Sequence, residues 1–294
     1  MPIPVTLAIV AACVIGLAYY LANSAVFYPA KYPQGDWDAQ KLVGAVDAWM
    51  ETSDGVKIHG WWVQRRQDGI STPDVVPRKT PGGTQPDGGR DGSPLVTLFL
   101  HGNAGNITHR ASRIQEIVAA GSSVLMLDYR GYGKSSGRPS EQGLYRDSEA
   151  GFIYLLGKGY RAEHIIIHGQ SLGSAVAIDL ASRRPCAALI LEAPFTSASD
   201  VAGTVVPFIG PLLVRSFNSL PKIRWLRVPK FFMQGDRDKV VPLRLGQELF
   251  AAAQEPKTFW TIPGAGHNDI LETAGAEYRH RLKAFYESLL SSHS

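Results

Sequence analysis

From residue 95 onward, short apolar runs alternate with segments of helical periodicity, and that alternation leaves few folds open to the chain. The runs at 95–100, 123–127, 164–168, 188–191, 230–233 and 258–262 are rich in β-branched and other apolar residues. They are close to continuously apolar, as strands covered on both faces are. Between them, 110–120, 145–156, 174–182 and 244–253 have helical spacing, and 274–290 closes the chain with a further helix. Such alternation predicts an α/β fold, a mostly parallel sheet with helices on its faces. Upstream, 49–52 and 56–63 flank Ser53-Asp54-Gly55, a turn signal that predicts an opening β-hairpin.

Two segments break the pattern. Residues 67–93 are rich in Gly, Pro, Asp and Thr and almost without apolar side chains, too little to offset the entropy of ordering them, so a mobile surface loop is expected. Residues 195–225 contain several prolines and an apolar stretch at 205–214. Pro207 and Pro211 interrupt it well short of the ~20 residues a membrane span requires. A small cap over the carboxyl edge of the sheet is the expectation there.

The N-terminus carries no charge from Val5 to Leu21, and its apolar character continues through Phe27. This predicts a single transmembrane helix over residues 1–28, with the aromatic residues Tyr19, Tyr20, Phe27 and Tyr28 at its far interface, and a catalytic domain over 29–294. A cleaved signal peptide is the competing reading, since Ala22-Asn23-Ser24 resembles a cleavage site, but no Lys or Arg precedes the run. Lys31 and Lys41 on the C-terminal flank favour a cytoplasmic domain. Although the formal net charge is +4, Lys and Arg are interspersed with acids instead of forming runs, which argues against nucleic acid as a partner. Cys13 lies in the apolar run and Cys186 in mid-domain. Neither a structural disulfide nor a zinc site is expected from them.

Gly169-Gln170-Ser171-Leu172-Gly173 fits the G-x-S-x-G elbow, in which glycines allow a sharp strand-to-helix turn that exposes a nucleophilic hydroxyl. Gly133-Lys134-Ser135-Ser136-Gly137 satisfies the same pattern, but it leads through a Gly-rich loop to Pro139. Ser171 follows Ile165-Ile166-Ile167 and precedes a good helix former, so Ser171 is the candidate nucleophile. Gly133-Lys134-Ser135 also resembles the end of a phosphate-binding loop, yet Asp128 stands where its first glycine is required. A dinucleotide fingerprint fails at Ser136.

A serine hydroxyl needs a base to take its proton and a third group to orient that base. Of the downstream histidines, His267 alone lies in a Gly-rich loop after the last expected strand, whereas His280 falls in the terminal helix and His293 in the tail. Gly235-Asp236-Arg237-Asp238 follows the 230–233 strand. Asp238 is preferred as the acid, Asp236 being placed to brace the turn, with Glu192 third. The backbone N–H groups of Leu172 and Asn103 are the expected oxyanion donors, the latter in His101-Gly102-Asn103-Ala104-Gly105-Asn106 after an early strand.

Taken together with Leu100 before the loop and Asp128-Tyr129-Arg130-Gly131-Tyr132-Gly133-Lys134-Ser135-Ser136-Gly137, these motifs resemble the α/β-hydrolase superfamily, and within it the membrane-anchored depalmitoylase-like branch and its bacterial homologues. The resemblance runs from about residue 49 to the C-terminus; the 67–93 loop is longer than this branch carries. It implies the α/β-hydrolase fold, a Ser171-Asp238-His267 triad and no metal or organic cofactor, with substrates spanning esters, thioesters, lipids and peptides; the apolar N-terminal run adds the expectation of an acyl ester or thioester, on acyl-lipid or S-acyl substrates at a membrane. Peptidase action on short peptides, or a binding scaffold without activity, are the alternatives.

Overall fold

The computed structural model describes residues 16, 26–65 and 95–291. The expected anchor at 1–28 falls outside the described residues except at Gly16 and 26–28, and the expected loop at 67–93 lies wholly outside them. Among the described residues, no helix is long and apolar enough to cross a membrane.

The chain opens with β1 (Tyr28–Pro29), α1 (Ala39–Leu42) and the hairpin β2 (Val46–Glu51) and β3 (Lys57–Val63). Then come β4 (Val96–Leu100), β5 (Ala104–Gly105), α2 (Ala111–Ala120), β6 (Ser123–Leu127), α3 (Glu141–Gly157), β7 (Ile165–Gln170), α4 (Leu172–Arg183) and β8 (Ala188–Glu192). The short helices α5 (Ala198–Val205), α6 (Gly210–Leu213) and α7 (Leu220–Ile223) occupy the expected cap segment. After them follow β9 (Lys230–Gly235), α8 (Leu243–Ala252), β10 (Lys257–Ile262), α9 (Ile270–Ala274) and α10 (Ala276–Ser291).

Eight strands form one sheet in the order β10-β9-β8-β7-β4-β6-β3-β2. Only the β2–β3 and β3–β6 pairings of this sheet are antiparallel. Side chains alternate between two cores on opposite faces. Leu98, Leu100, Ile165, Ile167, Leu189 and Phe232 enter one, while Phe99, Ile166, Ile190, Phe231 and Met233 enter the other. Covering both faces is what demands the continuous apolar runs.

Some boundaries differ from the sequence expectation for local reasons. Strand β7 continues past the apolar run because Gly169 and Gln170 still pair with Leu191 and Glu192 of β8. Helix α3 starts at Glu141, before the expected Tyr145, because the Ser140 side chain caps it by accepting the Gly143 N–H at 3.1 Å.

Candidate active site

Strand order reverses at β4. The chain crosses from β4 to β6 on one side and returns to β7 on the other, which opens a crevice at the carboxyl ends of β4 and β7. The loop His101-Gly102-Asn103 leaves β4 there, and Ser171 leaves β7 beside it.

Ser171 is 8% exposed, with φ 52° and ψ −117°, a backbone conformation that side chains rarely adopt. Holding it there costs on the order of 1–3 kcal/mol, and the surroundings enforce it. The Ser171 N–H donates to the Glu192 carbonyl at 2.8 Å, and the Ser174 N–H donates to the Ser171 carbonyl at 2.8 Å. Glycines are required on both sides by close approach: a Cβ on Gly169 would lie 2.3 Å from the Gly173 carbonyl oxygen, and one on Gly173 would lie 1.9 Å from that of Leu100. Ser135, which shares the five-position pattern, is buried in backbone contacts. Its hydroxyl donates to the Asp128 carbonyl at 2.8 Å and accepts the His59 N–H at 2.8 Å.

His267 lies in the loop between β10 and α9, with Nε2 3.0 Å from the Ser171 hydroxyl and Nδ1 2.7 Å from Asp238 Oδ2. The other Asp238 oxygen accepts the N–H groups of Val240 and Val241 at 2.9 and 2.8 Å, which fixes the carboxylate against rotation. Asp236 points elsewhere, accepting the Gly264 N–H at 2.7 Å and bracing the histidine loop. Gly235 lets that loop close on β9, since a Cβ there would lie 2.2 Å from the Ala265 carbonyl oxygen. His280 stands exposed on α10, and His293 is outside the described residues.

Glu192, the third acid considered, is fully buried behind the elbow. Arg113 donates to it at 3.1 and 3.2 Å, His168 Nε2 lies 2.8 Å away, and the Tyr278 hydroxyl donates to it. Burial opposes its ionisation, but Arg113, His168 and Tyr278 outweigh burial and hold its carboxyl below the usual carboxylate range. It anchors the elbow and does not reach His267. Nothing in the local sequence marks this cluster.

Asn103 and Leu172 both line the cavity that holds Ser171. Leu172 is the first residue of α4, so its N–H has no acceptor within the helix. The His101 ring donates from Nδ1 to the Gly102 carbonyl at 2.7 Å. That carbonyl and the Asn103 N–H belong to one planar peptide, so holding one directs the other. Two tyrosines of the 128–137 motif complete the support, Tyr129 O–H donating to the His101 carbonyl at 3.0 Å and Tyr132 O–H to the Asn103 carbonyl at 2.7 Å.

The cavity, about 420 Å³, runs from Ser171 under the cap. Phe195, Val201, Val205, Ile209, Leu213 and Val240 contribute to an almost wholly apolar wall. Val205, Phe208, Ile209 and Leu212 also carry the apolar surface outward into solvent, Phe208 being 90% exposed. Among the described residues, no cluster of His, Cys, Asp or Glu is arranged to hold a metal ion.

Sheet order, elbow and the Ser171-His267-Asp238 arrangement define the architecture of an α/β-hydrolase. Residues 94–224 match the family described as serine aminopeptidase, S33. An uncharacterised protein of Mycobacterium tuberculosis is 35% identical over 272 residues, 92% of this chain and 88% of that protein. The α/β-hydrolase domain-containing protein WAV2 of Arabidopsis thaliana is 32% identical, covering 79% of this chain and 75% of its own length. Human α/β-hydrolase domain-containing protein 17B is 38% identical over 64% of this chain and 65% of its own. Among solved structures, a Pyrococcus furiosus esterase superposes with a TM-score of 0.69 at 20% identity, over 90% of this chain and 98% of that one. The chain belongs to the α/β-hydrolase superfamily, and it is a serine hydrolase.

Proposed function

We propose that this protein hydrolyses carboxylic ester or thioester bonds through an acyl-enzyme on Ser171, acting on acyl-lipid or S-acyl substrates at a membrane surface. The observation that carries this reading is the hydrogen-bonded line Asp238–His267–Ser171 opening into an apolar cavity of about 420 Å³. His267 takes the Ser171 proton as Oγ attacks the acyl carbonyl, and Asp238 orients the ring and stabilises the imidazolium. The N–H groups of Leu172 and Asn103 receive the oxyanion. His267 then protonates the departing alcohol or thiol, and a water, deprotonated in turn by His267, releases the acid and restores Ser171.

An apolar wall suits an acyl chain, whose burial gains about 0.8 kcal/mol per methylene. An aminopeptidase, as the matched family is described, must also receive a substrate ammonium group. No acidic side chain stands among the described residues lining the cavity, which favours the acyl reading over peptide cleavage. The exposed apolar rim at Val205, Phe208, Ile209 and Leu212 supports delivery of an apolar substrate from a membrane. The uncharged run at 5–21 serves in this reading as a single-pass anchor, with the catalytic domain on the cytoplasmic side.

The test is labelling of the purified full-length protein by a fluorophosphonate, followed by a chain-length series of esters and thioesters set against a peptide amide. Labelling abolished by Ser171→Ala and retained by Ser135→Ala, with turnover rising along the acyl series, is expected. A folded wild-type protein that never labels would point instead to a binding scaffold, and faster turnover of the amide would point to a peptidase.

A further inference from the structure

The loop that carries Asn103 is not held by the main sheet. It forms a separate two-stranded parallel sheet, β5 against β1, with Tyr28 opposite Ala104 and Pro29 opposite Gly105. Residues 26–34 therefore lie along the loop like a strap. The Tyr28 N–H donates to the Asn103 carbonyl at 3.0 Å, and the Ala30 N–H donates to the Gly105 carbonyl at 3.0 Å. In the other direction, Asn103 Nδ2 donates to the Val26 carbonyl at 3.2 Å, and Asn106 Nδ2 donates to the carbonyls of Ala30 and Gln34 at 3.1 and 2.8 Å. The far edge of the strap is fixed to the core, Gly133 N–H donating to Ala30 and Tyr32 N–H donating to Gly133 at 3.0 and 2.9 Å. Val26 itself lines the cavity that holds Ser171.

We infer that residues 26–34 are a positioning element for the oxyanion loop, so that the segment leading out of the apolar N-terminal run sets how well Asn103 presents its N–H to the reacting carbonyl. The inference rests on the reading of Asn103 as an oxyanion donor in Ser171 chemistry. Its physical basis is that a two-residue ladder has little stability alone: Tyr129 and Tyr132 hold the loop from the core side, and the strap supplies the hydrogen bonds along its other edge. A misplacement near 1 Å at a catalytic group can lower the rate by about 100-fold. Placement of residues 26–34 is thereby coupled to turnover.

Two changes loosen the strap without touching Ser171 or His267. Asn106→Asp keeps the oxygen that accepts the Thr108 N–H at 3.0 Å but removes both donations to the strap and opposes a carboxylate to two carbonyls. Tyr28→Pro removes the N–H donated to Asn103. In the full-length protein, with active sites counted by complete fluorophosphonate labelling, kcat per labelled site for a soluble short-chain ester is expected to fall at least about ten-fold in each. Affinity for a trifluoromethyl ketone, whose adduct carries the oxyanion, is expected to fall in parallel while KM stays within about two-fold. A variant that is only less stable would yield fewer labelled sites with unchanged kcat per site. Unchanged kcat and ketone affinity per site would overturn the inference while leaving the hydrolase reading intact, whereas a wild type that neither labels nor turns over would overturn that reading itself. Should neither variant fold, Asn103→Ala, which keeps the backbone N–H but removes the side-chain bond to Val26 and a part of the cavity wall, is read by the same two quantities with KM as the control for the wall, and no change in either overturns the inference.

Discussion

Ser171 hangs by its backbone from Glu192, the Ser171 N–H donating to the Glu192 carbonyl at 2.8 Å, while the side chain of Glu192 is locked to Arg113 on the far side of the strand. The perch of Ser171 is therefore built on a buried ion pair. Arg113→Met leaves the carboxylate with only His168 and Tyr278 as partners, and removing one partner of a buried pair destabilises by roughly 3–5 kcal/mol. Urea unfolding at pH 7 is expected to show a loss of that size, and the Arg113→Met/Glu192→Gln double variant is expected to recover part of it. Because the Glu192 carboxyl is held below its ordinary range, the stability it contributes is present above the unfolded carboxyl pKa, ~4.3, and is lost as pH falls toward the folded value. The Arg113→Met deficit should accordingly shrink below about pH 4.

At the elbow, positive φ at Ser171 sets function against stability. Glycine tolerates this conformation and alanine does not. Ser171→Gly and Ser171→Ala are both expected to abolish turnover, with Ser171→Gly the more stable by about 1 kcal/mol despite the larger chain entropy of its unfolded state. Equal melting behaviour of the two would contradict a strained elbow.

Much of this was legible in the sequence because the relevant signals are local. The sheet reveals itself in apolar runs buried on both faces, and the elbow in two glycines whose Cβ atoms would strike backbone. Asp238 and His267 stand out because each follows a strand by a few residues. The Arg113–Glu192 pair joins residues 79 positions apart, and no spacing rule connects them. Glu192 ends strand β8 whereas Asp238 lies just past β9, and the neighbours of Glu192 are Arg113, His168 and Tyr278 and not His267. The strap at 26–34 is still less visible, because its bonds are largely between backbone groups and leave no pattern of side chains.

Asp238 and Asp236 are chemically alike and two residues apart, yet only Asp238 reaches His267, at 2.7 Å. Replacing an orienting Asp by Asn in such a triad lowers kcat by about 10⁴ by favouring the wrong tautomer. Asp238→Asn is expected to show a loss of that order in ester hydrolysis. Asp236→Asn, which weakens a bond to the Gly264 N–H, should stay within about ten-fold of wild type. Comparable losses in both would mean that the bracing of the histidine loop matters as much as the orientation of its ring.

Lys230 provides a pH test remote from the site. Its ammonium group, on a residue 1% exposed, donates to the carbonyls of Leu226 and Val228 at 2.9 and 2.6 Å. Burial pushes its pKa down to about 8, with Glu255 opposing and Lys257 adding to the shift. A lysine whose folded pKa lies below its unfolded value, ~10.4, sheds its proton earlier in the folded state. Between about pH 8 and 10 the unfolded chain then binds more protons, so stability from this group rises with pH across that window and is constant below it. Urea midpoints of wild type measured against Lys230→Met should show the difference moving in favour of wild type from pH 8 to pH 10. A difference that stays flat would mean that the two carbonyls hold the ammonium charged despite its burial.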